Sequence, residues 1–411
     1  MPKVRLDSWK SIADYLERSP RTVQRWHAYH ALPVHHFGGC KGSVFAYAEE
    51  IDRWLVSLAQ ENRPGDAAGD DSLATRRSQS RELVLQAHEM WESRSEESLH
   101  TIAGLYRKAI DQNPVNAAAL TGLASAMISA ALHGVMDCAI AYPAATEALR
   151  RTAQLDPDEV EARCAAAWLR LVYERKGRQA RAGFEEVLSR QPESSFALAG
   201  MALCHVAEGD LDGARVWAWK AWQKNTLVPM LGAMVCWIEY LAGANDAALD
   251  MAEQIRMSGG SCGTLAIIET LALIQAGPDA ARLKRIAALA SNYPQSPTLK
   301  CALAYQWALS GKPGRAREIR AAVELMNPQK KRGNAYGMAL MAMGLGNDLE
   351  AVRWLEASYA EGSLWSLALC SDPILNPVRE DLRFQALMRK CGVQAGSSAY
   401  TGHLELIACA G

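Results

Sequence analysis

The sequence is short of the segments that mark the commoner catalysts. Its 411 residues contain no GxxxxGK[ST] loop, no HExxH helix and no protein-kinase signature set. Neither a phosphate cradle nor a zinc-binding helix is therefore encoded, and no enzymatic activity is expected. Charge of one sign is also missing: 44 basic residues balance 45 acidic ones, for a net charge of -1. No global field draws the chain to nucleic acid or membrane, and any electrostatic footprint must be local. The ten cysteines form no CxxC pair, which suits reduced thiols buried as small hydrophobes. His27, His30, His35 and His36 cluster near Cys40 without a second ligand pair, so no metal is expected. The opening MPKVRLDSWK has no apolar core, and no secretory leader is expected. The uncharged stretch Ala117–Leu132 is shorter than the ~20 residues of a membrane span. Being rich in small residues, it suits helix-on-helix packing.

What is present is two kinds of pattern separated by a seam. Residues 61–81, from Glu61 onward, carry Pro, Gly, Ser and charge with few apolar side chains, the composition of a flexible linker. Before the seam, Trp9, Ile12, Ala13 and Leu16 follow the i, i+3, i+4, i+7 spacing of an amphipathic helix that Ser8 can cap. A second helix starts at Ser19 with Pro20 in its first turn. Glu17 and Arg18 make the short turn between them. On this helix Val23, Trp26 and His30 share one side, while Arg21, Gln24 and Arg25 point the other way with Thr22 on the flank. Arg and Gln can each make paired hydrogen bonds to base edges, and Ser19 and Thr22 suit phosphate oxygens. Leu32–Val34 and Val44–Ala46 read as two strands around the turn 38–43, with Lys41 and Ser43 near its tip. Ile51, Trp54, Leu55 and Leu58 then mark a third helix. Helix, turn, helix, hairpin, helix is the order of a winged-helix domain. Residues 1–41 hold seven basic and three acidic residues, a local charge of +4. That is modest for DNA, so a homodimer is the expected binding form.

Over Leu6–Leu58, SWKSIADYLERSPRTVQRW followed by LPVHHFGGCKGSVFAYAEEIDRWL resembles the helix-turn-helix and wing of the MerR/excisionase-like superfamily. The resemblance implies that the second helix enters the major groove and the wing rests on the backbone. Arg21, Thr22, Gln24 and Arg25 then become DNA-contacting candidates, with Lys41 in the wing. The long dimerising coiled coil and the cysteine sensor sites of MerR proteins are missing, so any dimer must form elsewhere.

After the seam, small residues recur with a fixed period. Gly209 precedes Ala214 by five residues, as Gly243 precedes Ala248, Gly311 precedes Ala316 and Gly346 precedes Ala351. Ala180, Ala214 and Ala248 are 34 apart, Ala316 lies two periods further on, and the skipped register falls at Arg282. A 34-residue period is the tetratricopeptide signature of stacked helix hairpins. Pro157, Pro192 and Pro328 each fall twelve residues after an Ala of the series, where a repeat should end. Phe184 and Leu149 fill a large apolar position four residues after theirs. YRKAIDQNP and EALRRTAQLDPDEVEARCAAAW resemble the opening repeats of arrays attached to bacterial winged-helix regulators and kinases, and residues 351–388 resemble their closing cap. Trp217, Trp219 and Trp222 cannot all face one way on a helix, which predicts core tryptophans plus one at the rim. The basic run Arg175, Lys176, Arg178, Arg181 reads as a solvated turn.

The expected fold is mainly α. It comprises a small winged helix-turn-helix domain (three helices plus a β-hairpin wing) over 1–60 and a linker over 61–81. A TPR-like α-solenoid with a C-terminal cap follows over 82–393, then a tail over 394–411. The expected function is a sequence-specific regulator of transcription, bacterial, cytoplasmic and nucleoid-associated, without cofactor or membrane anchor. It would bind double-stranded DNA through the first domain and a protein or peptide partner through the second. A protein-interaction scaffold without specific DNA binding fits the same sequence, as does a peptide-responsive regulator.

Overall fold

A computed structural model describes residues 5–391 apart from 17–19, 21, 22, 25, 28–31, 37–43, 61–69, 278 and 327–333. The chain divides into two units, Met1–Ser78 and Gln79–Gly411.

The first unit is built on a small sheet. Strands β1 (Arg5–Leu6), β2 (His35–His36) and β3 (Val44–Tyr47) pair antiparallel in the order β1-β3-β2, with Leu6 opposite Ala46 and His35 opposite Phe45. β1 has no counterpart in the sequence expectation, because two residues carry no readable period. β2 starts at His35 rather than Leu32, since Pro33 has no N–H to give to a ladder. Helix α1 (Trp9–Tyr15) is capped by Ser8, whose hydroxyl accepts from the Ser11 N–H. Helix α2 (Ala48–Gln60) follows β3 directly. Ile12, Ala13, Val23, Leu32, Val34, Val44, Ala46 and Ile51 form the core.

The second unit is an α-solenoid of helix hairpins. It opens with the part of α3 (Asp70–Trp91) from Gln79 onward, followed by α4 (Glu96–Gln112). Seven hairpins follow: α5 (Ala117–Leu132) with α6 (Cys138–Leu155), α7 (Val160–Val172) with α8 (Gly177–Arg190), and α9 (Ser195–Glu208) with α10 (Leu211–Lys224). Next come α11 (Pro229–Leu241) with α12 (Asn245–Met257), α13 (Gly263–Gln275) with α14 (Ala280–Asn292), α15 (Pro297–Leu309) with α16 (Pro313–Glu324), and α17 (Ala335–Gly344) with α18 (Asp348–Glu361). The period read from the sequence is the period of these hairpins. Gly209, Gly243, Gly311 and Gly346 end first helices in the left-handed conformation that spares glycine a Cβ clash. Ala180, Ala214, Ala248, Ala316 and Ala351 are all buried at the helix–helix contact. Close approach matters between hairpins too: a Cβ on Gly200 would stand 2.3 Å from the Phe184 ring. At the skipped register, Arg282 donates to the carbonyls of Ala276 and Gly277 at the end of α13.

Residues 70–81, read as linker, are helical: α3 begins at Asp70. Leu, Ala, Arg and Gln favour helix even where nothing covers it. Residues 73–79 are exposed, and the first anchored side chain is Ser80, whose hydroxyl donates to the Ala109 carbonyl at 2.7 Å.

The first helices of the hairpins differ from the second. α5 and α17 carry no charged side chain, and α9, α11 and α13 carry a single glutamate each. A helix apolar all round is buried on two sides. One side packs on the second helices. The other meets residues 363–378, the segment read as part of a terminal cap. It runs as two 3-10 turns, Leu364–Leu367 and Pro373–Val378, almost fully buried among the first helices. Only α19 (Leu382–Lys390) then returns to pack on α18. The segment is held by specific bonds. Tyr240 and Tyr336 each donate a hydroxyl to the Asp372 carboxylate at 2.6 Å. Trp365 stacks on Tyr336 at 5.2 Å and meets Trp237 edge-on at 5.7 Å. Tyr142 donates to the Gly362 carbonyl at 3.0 Å.

Asp372→Ala would leave two buried hydroxyls without an acceptor. It should lower stability to urea by about 2–5 kcal/mol, whereas Asp372→Asn, which keeps an acceptor, should lose less. Equal midpoints for wild type and Asp372→Ala would show that the clamp does not hold the segment.

Candidate functional site

Two places in the molecule can carry a function, one in each unit. In the first unit, Pro20, Val23, Gln24, Trp26 and His27 are helical. Val23 is buried in the core, Trp26 packs against Trp54 at 5.8 Å, and Gln24 is exposed. Val23, Gln24 and Trp26 thus fall on the sides the sequence pattern gives them, while Arg21, Thr22, Arg25 and His30 lie outside the described residues. Of the candidate DNA contacts, Gln24 is the one the structure describes. Ser19, Arg21, Thr22, Arg25, Lys41 and Ser43 lie outside the described residues, as do His30, His36's neighbours 37–43 and Cys40. His27 and His35 are engaged within the unit: His27 Nδ1 lies 2.9 Å from the Leu32 carbonyl, and His35 Nε2 lies 2.6 Å from Glu50.

In the second unit the array winds far enough for distant hairpins to touch. Glu96, at the start of α4, accepts the N–H groups of Gly263 and Thr264 at 2.8 and 2.7 Å. A carboxylate thus sits on the positive end of α13 from a helix that precedes it by 167 residues. Burial raises the Glu96 pKa, against the lowering effect of these hydrogen bonds. His133, after α5, approaches the same place, with Nδ1 3.0 Å from the Thr264 hydroxyl and 4.0 Å from Glu96. Burial, reinforced by the nearby Arg94 cation, pushes its pKa down to about 4. Beside these residues opens a cleft of about 610 Å³, walled by Glu97, His133, the turn Tyr293–Thr298, Asn334 and the edge of the filling segment at Ser363–Trp365. A smaller chamber of about 50 Å³ lies further in, between Arg94, Ser129, Trp168, Phe196 and Trp237. The two share His133, Thr264, Leu132 and Leu364.

None of this inner site was singled out in the sequence, because it joins residues from hairpins far apart in the chain. The features that were singled out fall elsewhere. Trp217, Trp219 and Trp222 are all half-buried and none stands exposed at the rim. Ala214, Ala218 and Ala221 take the tight face of α10, leaving the three rings to lie along its flanks, with Lys220 over Trp217 at 4.6 Å. The basic run is not a solvated turn throughout. Arg175 takes the left-handed position that glycine holds in other hairpins, at φ 58°. It reaches back to the Tyr359 carbonyl at 2.8 Å and the Ser366 hydroxyl at 2.7 Å. Its place five residues before Ala180 was the signal. One GxSxG spacing, Gly259–Gly263, does occur. It lies between two helices rather than after a strand, and Ser261 is exposed, so it does not form a nucleophile elbow.

No family model matches the sequence, and no curated protein matches it. Among solved structures, the chain is similar to yeast Tom70, with 12% identity, a TM-score of 0.44, and 96% of this chain and 83% of that chain covered. It is similar to a chain of the APC/C hetero-tetramer Cut9–Hcn1, with 12% identity, a TM-score of 0.49, and 84% and 59% covered. It is also similar to a tetratricopeptide repeat protein from Parabacteroides merdae, with 13% identity, a TM-score of 0.32, and 77% and 99% covered. The hairpin array itself stands on the chain's own period and geometry. No described helix is long and apolar enough to cross a membrane.

The buried histidine gives the site a pH signature. Unfolded, His133 protonates near pH 6.5, and folded it stays neutral to about pH 4. Between those values the unfolded chain binds more protons, so stability falls as pH drops through the window, by up to about 3 kcal/mol from this group. His133→Gln, which can keep the bond to Thr264, should show a flatter fall between pH 6.5 and 4. Parallel profiles for the two proteins would place His133 in water.

Proposed function

We propose that this chain is a non-enzymatic interaction protein whose helical array takes a protein or peptide partner at the cleft beside the filled hollow. The observation that carries this reading is the cleft itself. At about 610 Å³ it has the size of a ligand site, and it lies where the hollow of the array is not closed by residues 363–378. Its walls mix backbone-rich turns with buried polar side chains such as Thr298 and Asn334, a lining suited to an extended backbone. A photo-crosslinking residue at Tyr293, in the full chain expressed in its own cells, should yield one dominant adduct. Glu97→Trp, an exposed cleft position filled without touching the core, should reduce that adduct at least tenfold. An adduct pattern unaffected by Glu97→Trp would remove the cleft from the interaction.

A second function is favoured by the first unit. We infer that it docks double-stranded DNA as a homodimer and reads an operator for transcription control. Support comes from Gln24 standing exposed beside the buried Val23, and from the +4 charge of residues 1–41. Fluorescence anisotropy against the gene's own upstream DNA and unrelated DNA, at two salt concentrations, tests it. Tight binding should weaken with salt as phosphate contacts release counterions. Arg21→Ala and Arg25→Ala should each weaken specific binding roughly 5- to 100-fold, the cost of about 1–3 kcal/mol for a base contact. Unchanged affinity in both variants would exclude this helix as the reader.

A further inference from the structure

The turn between α3 and α4 carries an arginine into the interior. Arg94 is 4% exposed and donates one hydrogen bond to protein, from Nη1 to the Trp91 carbonyl at 2.9 Å. Its guanidinium lies 4.0 Å from the centre of the Trp91 ring and 5.7 Å from that of Phe196. Among the described residues no carboxylate stands within ion-pair distance of it. Burial draws its pKa down to about 10 against the opposing pull of the Glu92 carboxylate, which forms no ion pair with it, and leaves it cationic at neutral pH. Glu269, sealed in α13, is by contrast bracketed by Arg256 and Arg285. A cation taken out of water without a counter-charge is strongly unfavourable. So is a donor without an acceptor.

A second donor stands in the same chamber. Trp237 is 1% exposed, and its Nε1 has no acceptor among the described residues. Indole nitrogen can only donate. Arg94 and Trp237 therefore face a chamber of about 50 Å³ with hydrogen-bond donors to spare, while Trp168, Phe196 and Leu364 make the rest of its wall largely apolar. That volume exceeds the ~10–15 Å³ needed to hold one water and falls far below the ~150 Å³ that admits benzene. It suits a carboxylate on a short stub. The shared residues Leu132, His133, Thr264 and Leu364 lead outward into the larger cleft, where the remainder of such a molecule would lie.

We propose that Arg94 and Trp237 form a carboxylate-binding site, taking the acid group of a molecule whose body extends toward the cleft. The carboxylate can belong to a free organic acid or to the C-terminus of a peptide. The site does not depend on the partner reading above, since a free acid would occupy it with no protein bound at the cleft.

The test uses the full chain labelled with 5-fluorotryptophan, with the Trp237 resonance assigned through Trp237→Phe. Probes are sodium acetate, sodium butyrate, a short peptide with a free C-terminus and the same peptide amidated, each against sodium chloride at equal ionic strength. Acetate or butyrate should raise the melting temperature and shift the Trp237 resonance where chloride does not. A response to the free peptide and not to its amide assigns the peptide source. A response to the small acids alone assigns the organic acid and leaves the peptide-docking reading without support from this chamber. Arg94→Met should abolish the response while the protein without ligand melts no lower than wild type, which a merely structural arginine would not do. Trp237→Phe should weaken binding about tenfold, and it tests the site independently should Arg94→Met not fold. No response beyond chloride to any probe, or a response that survives both substitutions, overturns the proposal.

Discussion

The rest of the second unit depends on a single packing constraint: its inner helices are apolar on two sides, and the hollow they enclose must be filled. α5, α9, α11, α13 and α17 could not face water across a groove without exposing a continuous apolar surface. Residues 363–378 supply the filling, almost all of them buried. A filling segment that was wholly apolar could slide. Asp372, clamped between Tyr240 and Tyr336, fixes its register, and the Trp365–Tyr336 stack fixes its depth. Burial raises the Asp372 pKa, and the two hydroxyls act against that rise.

Filling the hollow changes how the array holds together. Stacked repeats ordinarily touch their neighbours alone, and stability adds along one dimension. Here Tyr142 bonds to a carbonyl 220 residues further on, Arg175 to groups 184 and 191 residues on, and Glu96 to backbone 167 residues on. These bonds tie early hairpins to late ones. Cooperative unfolding is the physical consequence, since no end hairpin can fray without breaking a contact to the far side of the array.

The same winding brings buried charge together at one mouth of the hollow. Glu96 and Arg94 are two residues apart, yet their electrostatic situations are opposite. Glu96 is satisfied by the N–H groups that open α13. Arg94 has a carbonyl and two aromatic faces, and among the described residues no carboxylate at ion-pair distance. His133 stands between them, neutral at physiological pH because burial and the Arg94 cation both oppose its protonation. A molecule entering from the cleft meets a closed acidic group and an open basic one, and that asymmetry is the chemical character of the site.

The sequence by itself determined what repeats locally. The 34-residue period, the glycines that end first helices, the buried alanines and Phe184 are read directly, because each acts within one hairpin or between neighbours. The amphipathic order around Ile12, Val23 and Ile51 in the first unit is legible for the same reason. Tertiary structure alone decided what depends on residues meeting across the hollow. Arg175 looks like a member of a basic run until Tyr359 and Ser366 arrive beside it. Residues 363–378 look like an end cap until five apolar inner helices need a filling, and Arg94 and Trp237 look like any arginine and tryptophan until they face the same chamber. Periodicity encodes contacts at fixed sequence separation, and contacts 131 to 220 residues apart leave no period to read.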